Sequence, residues 1–245
     1  MRALRVVLIL AVVLGGLGVG ADRVAASYAE SEAAATARVG AVRPESADVD
    51  IKGFPFLTQA ADRRFDEVEV RLTGVRAQAG GRPVRIGELA LDLRDVTLDG
   101  DYAIDRAGRA DGTAVIGYPD LEAASGREAR VEYGGTGGAN GTSGTGKGAG
   151  AGKLKVTGGV RILGREITRS VLSSVTLVNG DTIRVRADEV PGEGIPGLEG
   201  LVRERTDFDR KIEGLPKGVR LTKVEARPDG LVATVAGQDV SLRVS

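Results

Sequence analysis

Between Val84 and Leu98 the apolar residues alternate with a period of two but change parity twice. Val84 and Ile86 share one parity, Leu89, Leu91 and Leu93 the other, and Val96 and Leu98 return to the first. A single flat strand would send these sets to opposite faces of a sheet, because a one-residue slip inverts the alternation. Breaks at Gly87 and at Arg94-Asp95, read as β-bulges, bend and twist a sheet instead. A strongly curved β system is therefore the expected architecture. The composition agrees: aromatics make up 3% of the 245 residues, and the 37 glycines leave a core of Val, Leu, Ile and Ala, which suits strands.

The same composition removes whole classes of function. With no Cys and no His, the chain has no disulfide framework, thiolate nucleophile, zinc finger or histidine-based triad. The 34 basic and 34 acidic residues balance, which argues against binding dominated by nucleic-acid phosphate. Asp48 and Asp50, or Asp92 and Asp95, lack companions at metal-binding spacing. No nucleophile-elbow motif surrounds Ser125, Ser170 or Ser174. No catalytic residue, metal or cofactor is expected, and the chain reads as a non-enzyme.

Arg2 and Arg5 precede Val6–Ala21, sixteen residues without a charged or polar side chain. This has the shape of a secretory signal with a cleavage site before Asp22, or of an uncleaved anchor somewhat short of the ~20 residues that a membrane span needs. Either reading places residues 22–245 outside the cytoplasm, secreted or held at the outer face of the cytoplasmic membrane. Asp22–Val39 is expected to be a helix capped by Asp22, with a thin apolar face of Val24, Tyr28, Ala35 and Val39. Ala47–Ile51 reads as a short strand. The stretch Gly53–Val75 begins with an apolar plug, Phe54-Pro55-Phe56-Leu57, crosses a polar segment and enters the strand Asp66–Val75.

Further strands are expected at Ala110–Ile116, Arg127–Tyr133 and through Leu154–Leu172, with a short helix from Tyr118 to Ala124. Asn179-Gly180 marks a hairpin between Val175–Val178 and Thr182–Val185. The spacing over Leu198–Ile212 predicts a helix, and strands close the chain around a turn at Pro228-Asp229-Gly230. Residues 134–152 contain ten glycines in nineteen positions and read as a flexible insertion within a single domain, 22–245. The pair Gly146-Lys147 does not complete a phosphate loop, since Gly148 follows the lysine.

Gly53-Phe54-Pro55-Phe56-Leu57, Phe65-Asp66-Glu67-Val68, Tyr118-Pro119-Asp120-Leu121 and Gly214-Leu215-Pro216-Lys217-Gly218 together resemble the LmeA-like family of actinobacterial phospholipid-binding envelope proteins, over about residues 22–245. The resemblance implies an α+β fold: an elongated, strongly curved antiparallel sheet wrapped on a long helix, like the tubular lipid-binding proteins. It also implies phospholipid binding in an apolar groove, and a role in the envelope related to mannan lipid maturation. A lipid carrier needs a concave apolar wall with a few polar anchors. Val68, Val70, Leu72, Leu89, Leu91, Leu93, Leu177, Ile183 and Val185 could supply that wall. Phe54, Phe56, Leu57, Phe208, Leu215 and Leu221 could close or line an end. Arg63, Arg64, Arg203 and Arg205 are candidates for a lipid phosphate, which guanidinium groups match through paired hydrogen bonds. The expected partners are a phospholipid and a membrane surface. The alternative is a structural or adaptor envelope protein without a ligand.

Overall fold

A computed structural model describes residues 2–37, 43–79, 81–125, 129–136, 152–162, 165–188, 200, 203, 207–213 and 215–242. In chain order the elements are α1 (Arg2–Thr36), β1 (Ser46–Lys52), α2 (Phe56–Ala61), β2 (Arg64–Ala79), β3 (Arg82–Leu98), β4 (Ile104–Ile116), α3 (Tyr118–Ser125), β5 (Ala129–Thr136), β6 (Gly152–Ile162), β7 (Arg165–Val178), β8 (Thr182–Ala187), β9 (Phe208–Lys211), β10 (Val219–Arg227) and β11 (Gly230–Ser241). Among the described residues, eleven strands make one curled, wholly antiparallel sheet in the order β1-β2-β3-β4-β11-β10-β6-β7-β8-β9, with β5 also on β6.

The parity changes in β3 are real, but they are not bulges. β2 and β3 hold one register from Arg64 opposite Thr97 to Ala79 opposite Arg82, and β3 and β4 shift register only at Thr97/Leu98. The change is made by a crease that several strands share. The pairings Asp66–Asp95, Asp95–Gly108 and Gly108–Asp239 are all skipped in otherwise continuous ladders, and Asp95 and Asp239 take φ of 51° and 50°. On either side of this line the buried residues stand three apart: Phe65 and Val68, Leu93 and Val96, Ala107 and Ala110. All six belong to one apolar cluster together with Val240, so the crease keeps both parities on the same side of the sheet. A second, shorter crease joins Gly74, at φ 63°, to Gly87, and separates Leu72 and Leu89 from Ala77 and Val84. Because the strands that share a crease turn over together, no residue is inserted at it and no register is lost there.

Three further expectations change. α1 is one continuous helix from Arg2, so Asp22 does not cap its start. Its packing face is made of Ala25, Ala26 and Ala29, while Val24 and Tyr28 are more than 70% exposed. Small side chains let the helix approach the sheet closely, which Val24 and Tyr28 would prevent. Phe208–Lys211, expected in a helix, is the strand β9 paired with β8. A helical bond survives just before it, with the Asp207 N–H donating to the Arg203 carbonyl at 2.7 Å. Gly134–Thr136 and Gly152, placed in the glycine-rich insertion, belong to the paired strands β5 and β6. Residues 137–151, 189–199, 201, 202 and 204–206 lie outside the described residues. The Asn179-Gly180 hairpin is present, with φ of 56° and 74° at its two central residues.

Candidate functional site

Among the described residues, three apolar clusters pack against the sheet. The first gathers α1, α2, β1–β4 and the end of β11 around Phe56, Phe65, Val68, Leu93 and Val96. The second fills the other half around Leu154, Val156, Val175, Ile183, Val185 and Leu221. A small third group, Val84 and Ile116 with Ile86, Leu121 and Ile212, lies at the far end of β3 and β4. Between the first two clusters run β4 and β11, whose inward residues are small. Ala110, Gly112 and Ala114 on β4 stand opposite Gly237, Val235 and Ala233 on β11. The neighbouring rows are larger, since Leu93, Leu91 and Leu89 on β3 face those same β4 positions. The result is an apolar floor of small residues beside a row of leucines that closes over it: a Cβ on Gly112 would stand 2.7 Å from Leu91 Cδ2 and 3.3 Å from Val235 Cγ2.

The fifteen wall and end candidates separate by exposure. Phe56, Val68, Leu72, Leu93, Ile183, Val185 and Leu221 are buried and act as core. Val70, Leu89, Leu91, Leu177, Phe208 and Leu215 are half-buried and keep part of their surface exposed. Val70 lies opposite Leu91 and Leu72 opposite Leu89, so part of this wall is contiguous across two strands. Phe54 and Leu57 are 59% and 50% exposed, which corrects the compact plug: only Phe56 of that motif enters the core, stacked on Phe65 at 5.7 Å. Nor do the six end candidates close one end, because Phe56 belongs to the first cluster and Phe208 and Leu221 to the second.

Arg63 and Arg64 are exposed where α2 meets β2, with the Arg63 guanidinium 5.2 Å from the Tyr102 ring centre. Arg203 is turned to the protein instead, donating to the Ala187 carbonyl at 3.3 Å and lying 3.8 Å from Asp207. Arg205 lies outside the described residues. Among the described residues, one buried polar side-chain atom lies beside the second cluster without a hydrogen-bond partner there, the Ser173 hydroxyl on β7. Sequence reasoning passed over Ser173, and also the floor Ala110-Gly112-Ala114, although the latter's period-two run of small residues was a readable signal.

The head of the site is fixed by α1. Both carboxylate oxygens of Asp22 accept backbone hydrogen bonds from the first turn of α2, from Phe56 N–H at 2.9 Å and Leu57 N–H at 2.8 Å. Burial pushes the Asp22 carboxyl up, but the two N–H donors and the adjacent Arg23 outweigh it and hold the group below its ordinary value. Arg23 donates to the Gly53 carbonyl at 2.8 Å, and Glu30 accepts from Ile51 N–H at 2.9 Å. Thus α1 is tied down by the adjacent Asp22 and Arg23, to α2 and to Gly53, and by Glu30 about two turns further on, to β1.

The opposite face of the sheet is polar. A shallow concavity of about 380 Å³ there is lined by Glu69, Arg71, Asp92, Asp111 and Thr113, among others. Its charges pair along or across strands, as in Arg71–Glu69 at 3.2 Å and Arg94–Asp92 at 3.4 Å. Exposed pairs of this kind solvate a surface and do not build a binding site for an acyl chain. Among the described residues, no three acidic side chains gather in a way that could hold a metal ion.

A family model described as LmeA-like phospholipid-binding matches residues 20–236. No curated protein and no solved structure matches the chain.

Proposed function

The chain belongs to the LmeA-like phospholipid-binding family, and we propose that it is an extracytoplasmic phospholipid-binding or lipid-transfer protein of the cell envelope that performs no chemistry on its ligand. The family match across 20–236 carries this reading. An acyl chain needs a long apolar surface without competing polar groups, and the half-buried Val70, Leu89 and Leu91, contiguous across β2 and β3, support the reading. The curl of the sheet, with α1 laid against one end, suits a tubular lipid-binding arrangement. Arg63 and Arg64 are exposed guanidinium groups of the kind that meets a lipid phosphate, which supports the reading.

Native mass spectrometry after gentle purification tests the reading. The expected result is a bound mass that extracts as phospholipid. An unliganded mass under every condition overturns it and favours a second reading, an envelope adaptor whose β core holds no ligand. That reading has its own support, because much of the inner face is already packed: seven of the fifteen wall candidates are buried among other side chains.

A further inference from the structure

We infer that the end of the sheet from which α1 departs is a bilayer-seating surface, with Phe54 and Leu57 inserted among lipid acyl chains. Past the Asp22 tie, α1 continues without support. Every residue from Gly15 to Ala21 is exposed, Leu17 and Val19 to 66% and 47%, and a Cβ placed on Gly15, Gly16, Gly18 or Gly20 would meet nothing within 4 Å. At 1.5 Å per residue, these seven positions carry the helix roughly 10 Å beyond the domain. They belong to the uncharged run Val6–Ala21, which Arg2 and Arg5 precede. A bare apolar helix projecting from a folded end requires an apolar surrounding, and the protein itself provides none at these positions.

The surface around the exit has matching chemistry. Phe54, Leu57 and Tyr102 are exposed to 59%, 50% and 58%. All three belong to one end of the sheet: Phe54 and Leu57 lie between the end of β1 and the start of β2, and Tyr102 lies in the turn between β3 and β4. Two of these rings carry an arginine, Arg23 at 5.6 Å from the Phe54 centre and Arg63 at 5.2 Å from that of Tyr102. Aromatic rings paired with long cationic side chains fit the boundary between acyl chains and headgroups, where the ring and the aliphatic stem enter while the guanidinium stays at the phosphate level. Asp62, Asp99 and Asp101 lie at the same end, so apolar insertion and not net positive charge holds the contact.

Seating does not require that the apolar face of the sheet carry lipid, so an unliganded native mass would leave it standing. The test uses the full chain, which has no cysteine of its own. Phe54→Cys, Leu57→Cys and, in the β10–β11 turn at the far end of the sheet, Asp229→Cys each carry an environment-sensitive dye. Each protein is reconstituted into phosphatidylethanolamine–phosphatidylglycerol vesicles containing acyl-chain nitroxide quenchers. The expected result is several-fold stronger quenching at positions 54 and 57 than at 229, retained when salt is raised to about 1 M, where charge attraction is screened within ~3 Å. Equal quenching at all three sites, no quenching at 54 and 57, or loss of the difference in salt overturns the inference.

Discussion

Asp95 and Asp239 show how single backbone angles shape this sheet. Both sit at positive φ, a conformation that Asp tolerates because its short polar side chain can bond locally, and that β-branched residues strongly resist. Asp95 also touches the neighbouring strand: a Cβ on Gly108 would stand 2.9 Å from that of Asp95. The crease thus needs an αL-tolerant residue on β3 and the absence of a side chain on β4. Asp95→Val is expected to lower stability by about 1–2 kcal/mol, whereas Asp95→Gly retains the fold with little loss. Denaturant unfolding of the two variants checks this, and the contrast matters more than either value.

At the scale of elements, the junction of α1 with α2 depends on one ionised carboxylate. Asp22 in the folded protein holds its proton less tightly than an ordinary aspartate, so its stabilising contribution is complete above the usual carboxylate range. That contribution is lost as pH falls through the lowered folded-state value. Hydrogen exchange of the Phe56 and Leu57 amides measures the tie directly, since both donate to Asp22. Their protection is expected to fall on acidification in the natural chain. In Asp22→Ala it should be low at every pH, by roughly five- to tenfold, the usual size of a lost helix cap.

At the scale of the whole molecule, the two halves of the sheet meet along a thin seam. Among the described residues, β10 pairs with β6 only at Ala226 opposite Gly152, although it pairs along its length with β11. A Cβ on Gly152 would lie 2.0 Å from the Ala226 carbonyl oxygen, closer than any relaxation of one side chain can relieve. Gly152→Ala is therefore expected to cost about 1–3 kcal/mol by overpacking. It should also separate the halves in hydrogen exchange, with β5–β9 losing protection before β1–β4.

The chain's own pattern determined the β-rich class, the small-aliphatic core, the Asn179-Gly180 and Pro228-Asp229-Gly230 turns, and the positions of both parity changes in β3. These follow from local rules, in which side-chain period and turn residues act within a few positions along the backbone. The tertiary structure decided what those local breaks become. Register is a property of several strands at once, and only the paired ladder shows that Asp66, Asp95, Gly108 and Asp239 form one crease in place of separate bulges. For the same reason Phe208–Lys211, whose spacing fits a helix, is a strand: pairing with β8 outweighs a weak local period. The apolar wall was legible as residue types. Which of its members pack, which keep part of their surface exposed, and which stand at the exit of α1 beside Arg23 depend on neighbours distant in sequence, which no local pattern encodes.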